Sequence, residues 1–302
     1  MTGEQRYQNL AVPAGKVDVV LDTDAYNEID DQFAIAYLLR SGEKLTTKAV
    51  YAAPFSNGRS AGPADGMEKS YREIRRILCL AGVQVPVFKG SDRYLMSETA
   101  PVISPAAQDL ARRAELYTAE RPLYVVAIGA ITNVASALLL NPHMVETTVV
   151  VWLGGHARHF RNTEEFNMRQ DISAARVVMG SGVPFVQLPC EGVVNVFTVS
   201  GPELERWLLG KNPLADYLAM STITEAETYA KGRAWSRAIW DVTAIAWLLN
   251  EEGRFMESEI VPTLLPEPDM RYHSVEDALP MRYVTRICRD ALLNDLIGKL
   301  IG

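Results

Sequence analysis

The sequence predicts an α/β fold, with an open, mainly parallel β-sheet flanked by helices in a single domain. Short runs rich in β-branched residues alternate with helix-like segments through the first 200 residues, as in chains of β-α-β units. The apolar runs are mostly continuous rather than alternating, which is typical of strands buried on both faces of a sheet. No repeat, low-complexity tract or clear linker interrupts the chain, so we expect one domain over residues 1–302.

Six apolar runs are predicted to be the strands of this sheet. They are "VDVVLD" (17–22), "TTKAVYAA" (46–53), "VPVFKG" (85–90), "LYVVAIG" (123–129), "TTVVVWLGG" (147–155) and "PFVQLP" (184–189). The intervening segments with helical patterns include "DDQFAIAYLLRSG" (30–42), "EKSYREIRRILCLAG" (68–82) and "TNVASALLLNP" (132–142). The last two end in Gly and Asn-Pro, which commonly stop helices.

The two ends of the chain are less regular. Residues 1–16 are interpreted as an N-terminal extension, and residues 17–250 as the core that carries the motifs. Beyond about residue 200 the pattern becomes more helical. Two further short strands are predicted near "IVPTLLP" (260–266) and "RYVTRIC" (282–288).

The composition excludes several classes of partner. The net charge of −7 argues against binding nucleic acid, because phosphates are neutralised by broad basic surfaces. Cys79, Cys190 and Cys288 are too few and too scattered for a disulfide framework or a cysteine-based zinc site. The first residues lack the apolar core of a signal peptide, and no apolar run reaches the ~18 residues of a membrane span. We therefore expect a cytoplasmic protein with no membrane partner.

Four aspartates lie between the first predicted strand and the first predicted helix of the core, in "VVLDTDAYNEIDDQFAIAYLL" (19–39). Asp22 and Asp24 are two residues apart at the strand end, so their side chains point to the same side. Asp30 and Asp31 begin the helix, where free N–H groups favour carboxylates. Carboxylates this close raise one another's pKa unless a cation holds them. A hard divalent cation such as Ca²⁺, which takes 6–8 oxygen ligands, fits this chemistry.

Two alternatives for the acidic segment stay open on its residues alone. Asp30 and Asp31 could simply cap the helix, with the other pair in solvent. A haloacid-dehalogenase-type phosphatase also places Asp-x-Asp after its first strand, and would use Asp22 as its nucleophile together with Mg²⁺. An EF-hand loop does not fit, because Asn27 stands where that loop needs Gly and Tyr26 replaces an oxygen ligand.

Three later segments carry polar residues that the fold is expected to bring to the same edge of the sheet. In "GAITN" (129–133), a tight turn exposes backbone carbonyls before a helix, although Thr132 could be an ordinary N-cap. Glu165 and Asn167 lie in a polar loop, where they could present a carboxylate and an amide to a polyol. Asp241 begins the apolar helix of "WDVTAIAWLL" (240–249). Taken alone, each segment is equally typical of an ordinary loop or helix cap.

In this order and spacing, the segments resemble the nucleoside hydrolase family, of the inosine–uridine-preferring type and its relatives. The aspartate segment is similar to the family's Asp-x-Asp-Pro-Gly-x-Asp-Asp, and "GAITN" to its Gly-Pro-Leu-Thr-Asn. "EEFNMRQDISAA" is similar to Glu-Phe-Asn followed by Asp-Pro-Glu-Ala-Ala, and "WDVTAIAWLL" to the His-Asp-Pro-x-Ala helix. The resemblance covers residues 17–250.

The resemblance implies Ca²⁺-dependent hydrolysis of the N-glycosidic bond of ribonucleosides or a related N-riboside, releasing base and ribose. It implies four Ca²⁺ ligands: Asp24, Asp31, Asp241 and the backbone carbonyl of Thr132. It further implies three ribose-binding residues (Asp30, Glu165 and Asn167), a supporting residue (Asp22) and a general base (Asp24). Family members also form homo-oligomers, so a dimer or tetramer is expected.

Departures from the family pattern concern the part of the site that faces the base. The loop between the aspartate pairs is two residues longer and lacks Pro-Gly, so that it carries Tyr26, Asn27 and Glu28 toward the mouth. The Asn that usually ends the second strand is missing, and Asn57 is the candidate replacement. These departures leave open a non-catalytic nucleoside- or sugar-binding homologue.

Trp240 stands where many members have the His that is thought to protonate the leaving base. A Trp cannot be a general acid, but it can stack on a base, which favours purine nucleosides, or it can simply pack in the core. His156 and His159 are candidates for the missing acid. Arg233 and Arg237 are candidates for contact with a substrate anion, although all four could equally be solvated residues.

Overall fold

Eight strands form one central sheet in the computed structural model, which describes residues 1–302. The protein has twelve strands in all, because β7 with β8 and β10 with β11 form two separate two-stranded sheets. The strands are β1 (Val17–Thr23), β2 (Leu45–Ala52), β3 (Val87–Lys89), β4 (Leu123–Ala127), β5 (Thr148–Leu153), β6 (Phe185–Leu188), β7 (Thr198–Ser200), β8 (Ser236–Ala238), β9 (Met256–Pro262), β10 (Leu264–Pro266), β11 (Tyr272–Ser274) and β12 (Pro280–Ile287). The helices are α1 (Gly3–Asn9), α2 (Asp30–Leu39), α3 (Pro63–Ala81), α4 (Pro105–Arg113), α5 (Thr132–Leu140), α6 (Met144–Thr147), α7 (Phe166–Gln170), α8 (Ile172–Gly180), α9 (Gly201–Trp207), α10 (Pro213–Ala230), α11 (Val242–Leu248) and α12 (Arg289–Ile301).

The sheet order is β3-β2-β1-β4-β5-β6-β12-β9, and only β9 runs antiparallel to its neighbour. The α/β class, the mainly parallel sheet and the single domain predicted from the sequence are thereby confirmed. The order of the strands reverses between β1 and β4, which pair directly with each other. In open α/β sheets, ligands bind outside the carboxyl ends of the strands at such a reversal. The aspartates after β1 and the turn after β4 meet at this point.

Helices cover both faces of the sheet, which explains the continuous apolar runs of the strands. In β1, Val19 and Leu21 pack with α2, α3, α11 and α12 on one face. Val20 packs with α4, α5 and α8 on the other. Successive residues in the middle of the strand thus enter two different hydrophobic layers, so all three are apolar.

The two ends of the chain complete this domain. "IVPTLLP" divides at Thr263 between β9 and β10. All of "RYVTRIC" except Cys288 lies in β12, which is inserted between β6 and β9. The N-terminal extension forms α1 and is tied to β12 by a 2.8 Å hydrogen bond from Arg282 Nε to the Leu10 carbonyl. No helix combines the length and apolar character needed to cross a membrane.

Candidate active site

Three buried carboxylates converge where α2 and α11 begin. Asp30 and Asp31 are the first residues of α2, and Asp241 immediately precedes α11. One carboxylate oxygen from each lies within 4.8 Å of the others, and each residue is at most 3% exposed. Carboxylate oxygens grouped in this way are the ligands that hard divalent cations prefer.

Asp24 lies beside this cluster, and its side chain has no hydrogen-bond partner. Both of its carboxylate oxygens are buried and unpaired, as are Asp30 Oδ2 and Asp241 Oδ1. Burial raises the pKa of Asp24 well above its ordinary value, and the charges of Asp31 and Asp30 raise it further. Unpaired buried carboxylates are costly unless something compensates them. A divalent cation would supply that compensation, so the residues present fit a metal.

Neighbouring polar groups hold the aspartates in place. The Thr23 hydroxyl donates to Asp31 Oδ1, and Asn133 Nδ2 donates to Asp22 Oδ1 at 2.7 Å. Burial raises the pKa of Asp22 to about 7, which this hydrogen bond partly opposes. The turn after β4 also approaches closely, because a Cβ at Gly129 would lie 3.0 Å from the Asp24 carboxylate. A side chain at position 129 would therefore displace Asp24.

Thr132 is the first residue of α5 and faces a buried carboxylate. Its hydroxyl donates to Asp171 Oδ2 at 2.6 Å. Asp171 also accepts from the backbone N–H groups of Leu95 and Ala174, each at 2.9 Å. Asp171 was not predicted as a site residue, because an aspartate before a helix is usually a cap.

Glu165 and Asn167 both reach the site, but most of their hydrogen-bonding capacity is used by the protein. Glu165 caps α7 and accepts 2.9 Å bonds from the backbone N–H groups of Gly155, Asn167 and Met168. Asn167 Nδ2 donates to the carbonyls of Ile128 and Leu153, at 3.2 and 3.0 Å. These bonds fix the loop after β5 against the ends of β4 and β5.

A pocket lies beside the aspartates and has aromatic side chains in its wall. Its lining consists of Asn27, Glu28, Asp30, Ile128, Glu165, Phe166, Asn167, Trp240 and Asp241. Trp240 is half-buried, so it packs on the apolar core and also faces the pocket. Phe166 and Ile128 were missed from the sequence, since nothing in a single chain marks an apolar loop residue as a pocket wall.

The longer loop between the aspartate pairs forms one side of the pocket mouth. Asn27 is buried there, and Asn57 Nδ2 donates to Asn27 Oδ1 at 2.6 Å. Asn57 does not line the pocket itself, so it acts on the site through Asn27. Glu28 pairs with Arg237 Nη2 at 2.6 Å, and Arg237 also lies 3.6 Å from Glu225.

Three further candidates lie outside the pocket lining. His156 is half-buried, and burial lowers its pKa; its ring centre is 5.7 Å from that of Phe160. His159 is exposed, with its ring centre 4.8 Å from the same Phe160 ring. Arg233 is also exposed. The structure does not bring these residues to the aspartates.

The sheet, the buried carboxylates and the adjoining pocket define an α/β protein with a candidate metal site beside a pocket. The chain belongs to the family of inosine-uridine preferring nucleoside hydrolases, whose model matches residues 19–277. Enzymes of this family hydrolyse the N-glycosidic bond of ribonucleosides.

Relatives of the chain differ in the bases they prefer. The pyrimidine-specific ribonucleoside hydrolase RihA of Salmonella typhimurium is 28% identical over 265 residues, covering 78% of this chain and 80% of RihA. The structure of a purine-preferring ribonucleoside hydrolase from Gardnerella vaginalis matches with a TM-score of 0.72 and 21% identity, over 94% and 98% of the two chains. An inosine-guanosine nucleoside hydrolase matches with a TM-score of 0.74 and 15% identity, over 95% and 98%. The two structural matches show the shared fold.

Proposed function

We propose that the protein is a Ca²⁺-dependent ribohydrolase that releases base and ribose from ribonucleosides or a related N-riboside, with a preference for purines. The observation that carries this proposal is the group of buried, unpaired carboxylates at the edge of an aromatic-lined pocket. Family membership supports the reaction class. It also removes the phosphatase alternative, as does the burial of Asp22 against Asn133.

The metal would be held by Asp24, Asp31, Asp241 and the Thr132 carbonyl. A bound Ca²⁺ supplies positive charge that lowers the pKa of water and orients the ribose hydroxyls. Asp24 accepts the proton of the attacking water as general base, and its two unpaired oxygens support this role. Asp22 keeps the strand end in place through Asn133.

The ribose would lie between the aspartates and the loop after β5. The ribose hydroxyls would bind to three residues that line the pocket, namely Asp30, Glu165 and Asn167. Positive charge develops on the sugar as the N-glycosidic bond breaks. The surrounding carboxylates are already oriented toward it and stabilise that charge.

The preference for purines rests on Trp240. It directly precedes Asp241, so a ribose bound at the aspartates places its base near the indole. Stacking on an aromatic side chain is worth about 1–3 kcal/mol per base in nucleic-acid complexes. Because larger bases offer more area for stacking, inosine should be preferred to uridine.

This proposal is tested by assaying a panel of ribonucleosides for release of reducing ribose. Each assay is run with and without a Ca²⁺ chelator. We expect turnover of at least one purine nucleoside, which the chelator abolishes and added Ca²⁺ restores. Binding of nucleosides without turnover would indicate the non-catalytic homologue. Turnover that survives chelation would contradict the metal assignment.

We also propose that the protein acts on a free small molecule, in the cytoplasm and as a homo-oligomer. The acidic net charge of −7 is consistent with the absence of a nucleic-acid partner. Light scattering on the purified protein measures the oligomeric state. A monomer at assay concentration would contradict the proposed homo-oligomer.

A further inference from the structure

An amide in the wall of the pocket has a hydrogen-bond donor that the protein does not use. Asn27 lines the pocket together with Trp240 and Phe166, and the residue is 7% exposed. Its Oδ1 accepts a hydrogen bond from Asn57 Nδ2 at 2.6 Å, whereas its own Nδ2 makes no hydrogen bond to the protein. That nitrogen is not among the fully enclosed polar atoms. Since buried polar groups are normally paired, this N–H group is available to a ligand in the pocket.

A backbone group fixes which end of the Asn27 amide is the free one. The oxygen and nitrogen of an Asn side chain occupy similar positions, so hydrogen-bond partners decide between the two orientations. The backbone N–H of Arg59 can only donate, and its nitrogen lies 2.8 Å from Asn57 Oδ1. Asn57 must therefore turn its Nδ2 toward Asn27, and Asn27 must turn its oxygen toward Asn57. The Arg59 N–H thus orients two amides in series, which leaves Asn27 Nδ2 as the free donor.

Asn167, the other amide of the pocket lining, has no donor to spare. Its Nδ2 donates to the backbone carbonyls of Ile128 and Leu153, at 3.2 and 3.0 Å, so both of its N–H groups are used. Asn27 also differs in position, because it lies in the loop between β1 and α2, on the side of the pocket proposed to bind the base. The free donor of Asn27 is therefore placed to meet the base rather than to hold a loop.

We infer that Asn27 is a specificity-determining residue whose Nδ2 donates a hydrogen bond to an acceptor atom on the edge of the bound base. Asn57 is the positioning residue that keeps this donor turned to the ligand. The inference rests on the proposed ribohydrolase function. In this arrangement Trp240 stacks on the face of the base and Asn27 binds its edge. A base with a C–H group at the contacted position leaves the Asn27 donor unpaired, which is unfavourable in a buried site.

Purine ribosides that each lack one acceptor of inosine test the contact. They are 3-deazainosine, 7-deazainosine and purine riboside, which lack N3, N7 and O6, respectively. Each compound and inosine itself are measured as inhibitors of the hydrolysis of another nucleoside, so that binding rather than reactivity is compared. We expect at least one analogue to bind about fivefold more weakly than inosine, as for the loss of one hydrogen bond. Equal binding of all four compounds would overturn the inference.

Two variants show whether Asn27 makes this contact. Asn57→Asp still accepts the Arg59 N–H but presents a second oxygen to Asn27, whose amide must then turn over and face the base with Oδ1. The weakly binding analogue should therefore bind as well as inosine, or better. Asn27→Ala removes the amide and should also bring the ratio of the two inhibition constants close to one. A purely structural role would weaken both ligands equally, so an unchanged ratio in either variant would overturn the inference.

Asn162→Asp is the matched control for the added charge. Asn162 Oδ1 accepts from the backbone N–H of Glu164, two residues later, at 3.2 Å, in the same way as Asn57 accepts from Arg59. Asn162 is exposed and does not line the pocket, so this variant should keep the wild-type ratio. Loss of discrimination in the control as well would attribute the effect to charge and overturn the positioning role of Asn57.

Failure of this inference can be distinguished from failure of the proposed function. If a nucleoside is hydrolysed but all four ligands bind equally, the ribohydrolase stands and the role of Asn27 falls. If no nucleoside is hydrolysed, calorimetry measures the same binding ratios without turnover. Discrimination found in that case supports the role of Asn27 in a protein that binds nucleosides without cleaving them. If no purine riboside binds at all, both the proposed function and the role of Asn27 fall.

Discussion

The two halves of the site differ in how they are built. The half proposed to bind metal and ribose consists of buried carboxylates at the starts of helices, such as Asp31 in α2 and Asp241 before α11. The half proposed to bind the base consists of the loop that carries Asn27 and Glu28, and of Trp240. Metal ligands must share one geometry, whereas a base pocket needs only a suitable shape and charge. The proposed metal and ribose site is thus built from regular elements, whereas the proposed base site is built mainly from loops.

Substitution of Asp24 should have the largest effect on the half of the site that is proposed to bind metal and ribose. Asp24→Ala removes both a ligand and the general base, so turnover should fall by at least about 10³-fold. Asp24→Asn keeps the shape and one ligand oxygen but not the base. Steady-state turnover with saturating Ca²⁺ measures both variants. Near-normal turnover of Asp24→Asn would show that Asp24 is only a ligand.

Bound Ca²⁺ should also stabilise the folded state, and this stabilisation should increase as the pH rises. Burial raises the pKa of Asp22 and of Asp31 to about 7, above the value of about 3.9 for an unfolded Asp. Between these values the metal-free folded state binds more protons than the unfolded state, so its stability falls as the pH rises through about 7. Ca²⁺ binds the ionised form, so its benefit grows over the same window.

Thermal unfolding with and without Ca²⁺, across this pH window, measures that effect. Ca²⁺ at about 100 times its Kd should raise the free energy of unfolding by about 2.7 kcal/mol. The increase in Tm caused by Ca²⁺ should be larger above pH 7 than below it. Asp31→Asn should reduce both the Ca²⁺ shift and its dependence on pH. A Ca²⁺ shift of the same size throughout the window would argue against metal binding by these carboxylates.

Substitution of Trp240 tests the half of the site that is proposed to bind the base. Trp240→Ala should raise KM for inosine about tenfold, since about 1.4 kcal/mol of lost stacking corresponds to one decade, and should affect uridine less. The ratio of kcat/KM for inosine and uridine, compared between wild type and variant, measures this. An unchanged ratio would show that the indole only packs on the core. Trp240→His should not create good uridine cleavage, because a His acid also needs an orienting partner.

Asn57 should have the smallest effect, because it acts on the pocket through Asn27. Asn57→Ala removes the 2.6 Å bond to Asn27 Oδ1. A hydrogen bond contributes about 1 kcal/mol net, so KM should rise about fivefold with kcat nearly constant. Initial-rate kinetics with a purine nucleoside measure the split. A fall in kcat without a change in KM would place Asn57 closer to the chemistry than the structure does.

The positions of the acidic residues at a strand end and at helix starts could be predicted because they depend on local sequence, whereas their roles remain predictions. Asp22 lies near the end of β1, Asp24 directly follows that strand, and Asp30 and Asp31 begin α2. Tertiary packing decided that Asn57 contacts Asn27, that Arg237 pairs with Glu28, and that His156 and His159 lie outside the pocket. Those contacts join loops far apart in the chain, which no short pattern encodes.

The sequence by itself determined the α/β class, the order of the first six strands along the chain and the acidic edge of the sheet, because apolar runs and helix starts depend on neighbouring residues. Only the tertiary structure decided that β12 enters the sheet between β6 and β9, and that Phe166 and Ile128 join Trp240 around the pocket. Strand pairing and pocket walls depend on which distant segments meet. That is settled when the two hydrophobic layers pack, because the layers bring together side chains from many separate elements.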